Sequence, residues 1–183
     1  MSKTTNIRVA GFGGQGVMMF GQMLAYSATI AEQNALWFPS YGPETRGGTA
    51  NCSVIISDEQ IGSPVFQKAH HLVAFNGPSL DKFHTKLVSD GLILYNASLI
   101  KDVNQTNKVK KIGIPINELA TKLNNEKVAN MVMLGVYLEL THLFTEEVVD
   151  QALTKFLGER KAHLLKINQQ AIELGRQFIL EME

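Results

Sequence analysis

Ile7-Arg8-Val9-Ala10 is a short β-prone run that stops at Gly11-Phe12-Gly13-Gly14-Gln15-Gly16, and Val17 to Ala31 continues with the Ala, Met and Leu content of a helix. Strand, glycine turn and helix make a βα unit. Ala35 to Phe38 is a second apolar run, and Pro39 is expected to end it and open a turn-rich loop through Gly48. Ala50, Cys52, Val54 and Ile56 alternate with Asn51 and Ser53, the period of a half-buried strand, before Asp58-Glu59-Gln60 turns the chain. Further strands are expected at His71 to Phe75, Leu92 to Tyr95 and Val109 to Ile114. A helix capped by Ser79 is expected from Ser79 to about Val88.

The last third changes character. Asn117 to Leu123, Val128 to His142, Glu146 to Leu157 and Glu159 to Glu181 all read as helices, with Thr145 as an N-cap and Gly158 between the last two. Val128 to His142 is apolar nearly all round and should be buried on most sides. In the final helix Leu164, Asn168, Ala171, Gly175 and Ile179 share one stripe, where Gly175 permits close helix approach. The expected fold is one α/β domain over residues 1–183. It is read as a three-layer sandwich with a mostly parallel or mixed sheet, a Rossmann-like first βα unit and a helical C-terminal third.

Composition narrows the chemistry. With 17 Lys+Arg against 17 Asp+Glu in 183 residues, no basic stripe exists to attract nucleic acid or an anionic membrane. The longest apolar stretch, Met131 to Leu138, falls far short of the roughly 20 residues of a membrane helix. Neither a signal-peptide apolar region nor a disulfide framework is present, so a reducing cytoplasm is the expected location. The only cysteine, Cys52, excludes a zinc or iron–sulfur site built from several thiolates of this chain.

Gly11, Gly13 and Gly16 satisfy G-x-G-x-x-G between a strand and a helix, where backbone N–H groups face an anion. The dinucleotide version also requires an acid at the end of the second strand; here that strand ends in Phe38-Pro39-Ser40, and Glu32 precedes it. The triphosphate-binding lysine is absent too. The turn is therefore either an anion cradle or a packing device. Tyr41, Glu44, Arg46, Gly47 and Gly48 make a second constellation, suited to a ligand anion, a partner surface or a local Glu44–Arg46 pair. Adjacent His70 and His71 should point to opposite faces of a strand and so share no metal. His84, His142 and His163 lack a matching i+4 ligand. Met18, Met19 and Met23 read as core.

In order along the chain, Gly11 to Val17, Tyr41-Gly42-Pro43-Glu44-Thr45-Arg46-Gly47-Gly48, Ile61-Gly62-Ser63-Pro64 and Asn130 to Gly135 resemble the gamma subunit of 2-oxoacid:ferredoxin oxidoreductases. The resemblance implies CoA-dependent oxidative decarboxylation of a 2-oxo acid to acyl-CoA and carbon dioxide, with electrons passing to ferredoxin. It also implies that thiamine diphosphate and iron–sulfur clusters sit on partner subunits, and that the isolated chain is inactive. Ser89-Asp90-Gly91 lacks the first glycine of the thiamine motif. The expected ligand of this chain is coenzyme A, at Gly11, Gly13, Gly14, Gln15 and Gly16. Tyr41, Glu44, Arg46, Gly47 and Gly48 are assigned to subunit contact or to the edge of a shared active site, with no catalytic residue of its own. The expected partners are thiamine diphosphate-binding and other catalytic subunits, an iron–sulfur subunit and, through them, ferredoxin. A discrete chain of this length favours 2-oxoglutarate as substrate over pyruvate, branched 2-oxo acids or indolepyruvate. The competing readings are a stand-alone NAD-binding dehydrogenase and a ligand-free structural subunit.

Overall fold

The computed structural model describes residues 3–40, 49–101, 103 and 108–182. Its strands are β1 (Thr4–Gly11), β2 (Asn34–Ser40), β3 (Ala50–Ser57), β4 (Ala69–Ala74), β5 (Leu87–Asn96) and β6 (Lys110–Ile114). They form a single sheet in the order β2-β3-β1-β4-β5-β6. β3 runs antiparallel to β1 and to β2, whereas the β1–β4, β4–β5 and β5–β6 pairs are parallel, so the sheet is mixed. The helices are α1 (Val17–Ile30), α2 (Gly77–Phe83), α3 (Ile116–Thr121), α4 (Ala129–Thr141), α5 (Glu146–Leu157) and α6 (Leu165–Leu180).

The layers are unequal. On one face Ile7, Val9, Cys52 and Val54 of the sheet pack against Phe20, Met23 and Leu24 of α1 and against Val132 and Tyr137 of α4. On the other, α2 is the helix that covers the strands among the described residues, placing Leu80 and Phe83 with Ala10, Leu72, Ala74 and Ile93, and Ile100 joins the same cluster. Every residue of α4 from Asn130 to Leu138 is buried, as its all-round apolarity requires. The sheet lies on one side of α4 and α6 lies on another. The α4–α6 crossing is closer than side chains allow. A Cβ on Gly135 would fall 1.9 Å from the Ile172 carbonyl oxygen, and one on Gly175 would fall 2.0 Å from that of Val132. Gly175 thus does what its position in the stripe implies, opposite a second glycine.

Several boundaries differ from the sequence pattern. β2 continues through Pro39, which pairs with Cys52 in the ladder. That is tolerated because β2 is an edge strand, where a missing N–H goes unnoticed on the solvent side. β3 is buried at every position and not merely on alternate ones, because it lies between β2 and β1 and is covered on both faces. Its polar Asn51 is satisfied there by Arg8 Nη1 at 3.0 Å, and the Arg8 guanidinium lies 5.0 Å from the Phe66 ring and 5.2 Å from the Phe83 ring.

Ser79 does not cap α2. Asn76 does, its side chain accepting from the Ser79 N–H at 2.9 Å, with Pro78 in the first turn. That helix stops at Phe83, and β5 begins at Leu87, earlier than expected. The final helix is also shorter than its stripe. Glu159–Leu164 forms a 3₁₀ segment with Lys161 at φ −116°, and α6 starts at Leu165. Thr145 caps α5 as expected, accepting from Val148 N–H at 3.4 Å.

One long-range polar contact joins the sheet to α4: His71 Nδ1 lies 2.7 Å from the Tyr137 hydroxyl. Burial lowers the His71 pKa from 6.5 to about 4, helped by the nearby charges of His70 and Lys3. Between those two pH values the unfolded chain binds a proton that the folded chain refuses. The stabilisation is therefore complete above about pH 6.5 and is lost as pH falls toward 4. Urea midpoints should be lower at pH 5 than at pH 7, and His71→Gln should shrink that difference.

Candidate functional site

β1 delivers the chain to the glycine turn, and the topology places that turn at a branch point. From β1 the chain moves to β2 and β3 on one side, then crosses to β4 on the other. In α/β sheets ligands settle outside the carboxyl ends of the strands at such a reversal. Gly11 closes β1 where a Cβ would lie 2.8 Å from Phe75 Cβ and 2.9 Å from Val17 Cγ2. Phe12, Gly13 and Gly14 then stand exposed at the turn.

Gly16 ends the turn and starts α1. Its φ of +77° is a left-handed value, and a Cβ there would lie 2.3 Å from Asn130 Nδ2. Asn130 is buried at the start of α4 and donates to the Gly16 carbonyl at 3.3 Å. One side chain from α4 thus fixes the turn across 114 residues of sequence. α1 has no side-chain cap and no acidic residue in its first turn, so its own first turn offers nothing to offset the positive end of its dipole.

Gln15 behaves differently from a ligand-facing side chain. Its Oε1 accepts from Phe12 N–H at 2.7 Å and from Asn76 Nδ2 at 3.2 Å, and its Nε2 donates to the Phe75 carbonyl at 3.3 Å. The amide is engaged within the chain and braces the turn against the end of β4. A row of amides continues from it. Asn96 donates to the same Phe75 carbonyl at 3.3 Å and to Asn117 Oδ1 at 3.1 Å, and Ser98 links Asn117 N–H with the Glu118 carboxylate.

Asn76 and Asn96 escaped the sequence reading. Asn76 lies two residues past β4 and Asn96 is the last residue of β5, and Asn76-Gly77-Pro78 has the cap-and-proline order of a helix start, which is the available signal.

The second constellation, Tyr41, Glu44, Arg46, Gly47 and Gly48, lies outside the described residues. The strands that flank it are placed. Ser40, the last residue of β2, pairs with Asn51, and Ala50, the first residue of β3, pairs with Gly11 of the turn. Both strand ends therefore reach the edge of the sheet that carries the glycine turn.

Cys52 is buried beneath α1, with Sγ 3.7 Å from the Val17 carbonyl, and burial pushes its thiol up to about 12. It is no nucleophile at neutral pH. Among the described residues no group of three or more His, Cys, Asp or Glu is placed to hold a metal ion. Nor is any helix among them long and apolar enough to cross a membrane.

Comparison with known proteins agrees with this architecture. The family model for pyruvate ferredoxin/flavodoxin oxidoreductase matches residues 6–178. Ketoisovalerate oxidoreductase subunit VorA of Methanothermobacter marburgensis is 38% identical over 175 residues, 94% of this chain and 36% of the relative. This chain thus spans only about a third of that relative's length. The crystal structure of the keto/oxoacid ferredoxin oxidoreductase gamma subunit from Geobacter sulfurreducens superposes with a TM-score of 0.82 at 29% identity, covering 97% of this chain and 99% of that one. A structure of 2-oxoglutarate:ferredoxin oxidoreductase from Magnetococcus marinus, with 2-oxoglutarate, coenzyme A and succinyl-CoA bound, gives a TM-score of 0.86 at 25% identity. That match covers 96% of this chain and 31% of the other. With the family model running from within β1 to within α6, the chain belongs to the pyruvate ferredoxin/flavodoxin oxidoreductase family, as one of its gamma-type members.

Proposed function

We propose that residues 1–183 form one gamma-type domain acting as a subunit of a 2-oxoacid:ferredoxin oxidoreductase. The reaction joins a 2-oxo acid to coenzyme A. The carboxylate leaves as carbon dioxide, the thiol proton is released, the acyl group becomes a thioester, and two electrons pass to ferredoxin. Thiamine diphosphate supplies the electron sink for the decarboxylation, and iron–sulfur clusters supply the electron path. This chain's residues do not fit a cluster: its one thiol, Cys52, is buried within the sheet. Nor does Ser89-Asp90-Gly91 start a thiamine motif, since it falls within strand β5. Both groups belong on partner subunits in this reading, with ferredoxin meeting the assembled complex.

The observation that carries the ligand assignment is the uncapped N-terminus of α1 behind an exposed glycine turn. Gly13, Gly14 and Gly16 let the backbone approach a phosphate of coenzyme A, Gly11 fits the turn against Phe75, and Gln15 holds it in shape. Tyr41, Glu44, Arg46, Gly47 and Gly48 serve subunit contact or the edge of the shared active site. The 38% identity to a ketoisovalerate oxidoreductase subunit favours a branched 2-oxo acid over 2-oxoglutarate.

Affinity purification from the native cell tests the class: a thiamine-binding partner and a Cys-rich partner should co-purify, and their absence sinks the proposal. Turnover of the assembled complex on 3-methyl-2-oxobutanoate and on 2-oxoglutarate distinguishes the substrates. In that complex Arg46→Ala should lower assembly or turnover at least tenfold while the melting temperature of the isolated chain stays within about 1 °C, as for a side chain that works through the complex. A large fall in melting temperature would instead identify a local Glu44–Arg46 pair.

A further inference from the structure

At the end of the sheet opposite the glycine turn, a cavity of about 380 Å³ opens between the first residues of β1, the start of β4 and the end of α4. Its volume falls in the range of roughly 300–1,000 Å³ typical of small-molecule sites. His70 and His71 both line it, contrary to the alternation expected of neighbouring strand residues. The reason is local. The β4–β5 ladder breaks between Ala69 and His71, and the His70 ring is drawn to the rim of the sheet by Asn6, whose backbone N–H donates to His70 Nδ1 at 2.9 Å.

The hydrogen bonds assign the remaining ring protons. Tyr137 is 0% exposed and burial holds its pKa well above 10, so its hydroxyl keeps its proton and is able to donate it. The partner is His71 Nδ1, 2.7 Å away. With both Nδ1 atoms accepting, each neutral imidazole carries its proton on Nε2. In these tautomers the pair has N–H donors and no lone pair left for a cation, which argues against a metal. Lys3 brings an ammonium to the same cavity, and among the described residues no Asp or Glu lines it. Leu92, Leu140 and Leu143 supply an aliphatic wall beside these donors.

We infer that this cavity binds a short aliphatic carboxylate, its head held by Lys3 and the His70 and His71 N–H groups and its hydrocarbon laid on Leu140 and Leu143. Inorganic phosphate would satisfy the donors but leave the leucines wet, and a neutral alcohol of the same shape would do the reverse. The site is separate from the glycine turn and does not depend on the coenzyme A assignment.

Titrating the 183-residue chain, labelled with ¹⁵N-histidine, with isovalerate, inorganic phosphate and 3-methylbutan-1-ol tests the inference. Isovalerate should shift the His70 and His71 ring resonances saturably, with a Kd at least fivefold below that of phosphate, and the alcohol should shift neither. Lys3→Gln should weaken isovalerate at least fivefold with an unchanged melting temperature. Leu143→Glu, which adds a carboxylate to the wall, should abolish binding. No saturable shift, equal binding of phosphate and isovalerate, binding of the alcohol, or indifference to Lys3→Gln each overturns it.

Discussion

Gly135→Ala is expected to lower the free energy of unfolding by about 3 kcal/mol, the upper end of the cost of overpacking a well-packed core. The new methyl carbon would sit 1.9 Å from the Ile172 carbonyl oxygen and 2.8 Å from its carbonyl carbon. Those are backbone atoms of α6, so no side chain can rotate aside. Relief requires α6 to move as a body, and α6 is seated by Ala171, Ile172 and Ile179 in the main core. Gly175→Ala meets the Val132 oxygen at 2.0 Å from the other side and should cost a similar amount. Gly62→Ala is the control. Nothing lies within 4 Å of its added carbon, so its effect should stay within about 0.5 kcal/mol. Urea unfolding of the three variants measures all of this. A Gly135→Ala change no larger than that of Gly62→Ala would mean that the two helices do not touch backbone to backbone.

Gly16→Ala should be the most disruptive single change in the glycine turn, costing about 2–3 kcal/mol. About 1–2 kcal/mol of that comes from forcing an L side chain into a left-handed conformation. The rest comes from contact with Asn130, whose Nδ2 would lie 2.3 Å from the added carbon and whose hydrogen bond to the Gly16 carbonyl would be lost. The two parts separate in a double-mutant cycle. Asn130→Ala removes the two nearest obstructing atoms, leaving its Cβ 2.9 Å from the added carbon, and does not touch the backbone strain, so the pair should be less than additive by about 1 kcal/mol. Strict additivity would show that α4 does not hold the turn. If coenzyme A sits on this turn, Gly16→Ala should also abolish the thermal shift that coenzyme A produces in the wild-type chain.

The parts legible in the sequence are those written in short-range patterns. The βα unit around Gly11 to Gly16, the strand at Ala50 to Ile56, the Thr145 cap and the burial of α4 each follow from residues within a few positions of one another. The Asn76 cap is equally local, but the sequence pattern offers Ser79, three residues on, as a rival cap, and its N–H is the group being capped. Other features were not local at all. Pro39 looked like a strand terminator because nothing near it reveals that β2 lies at the edge of the sheet. Asn51 and Ser53 looked solvent-facing because the cover over them comes from residues such as Arg8, Phe66 and Phe83, distant in the chain.

The order of residues alone determined the type of each main element, the glycine turn between a strand and a helix, the buried status of α4 and the lack of cluster-forming thiols. Periodicity and composition act over a few residues, and those properties require no knowledge of what packs against what. Tertiary structure decided the rest: β3 inserted antiparallel between β1 and β2, Gly135 meeting Ile172, Asn130 reaching Gly16, and two neighbouring histidines sharing one cavity. Each of these depends on a partner far away in sequence. Such pairings are chosen by the free energy of the whole assembled sheet and helix layer, which no local window contains.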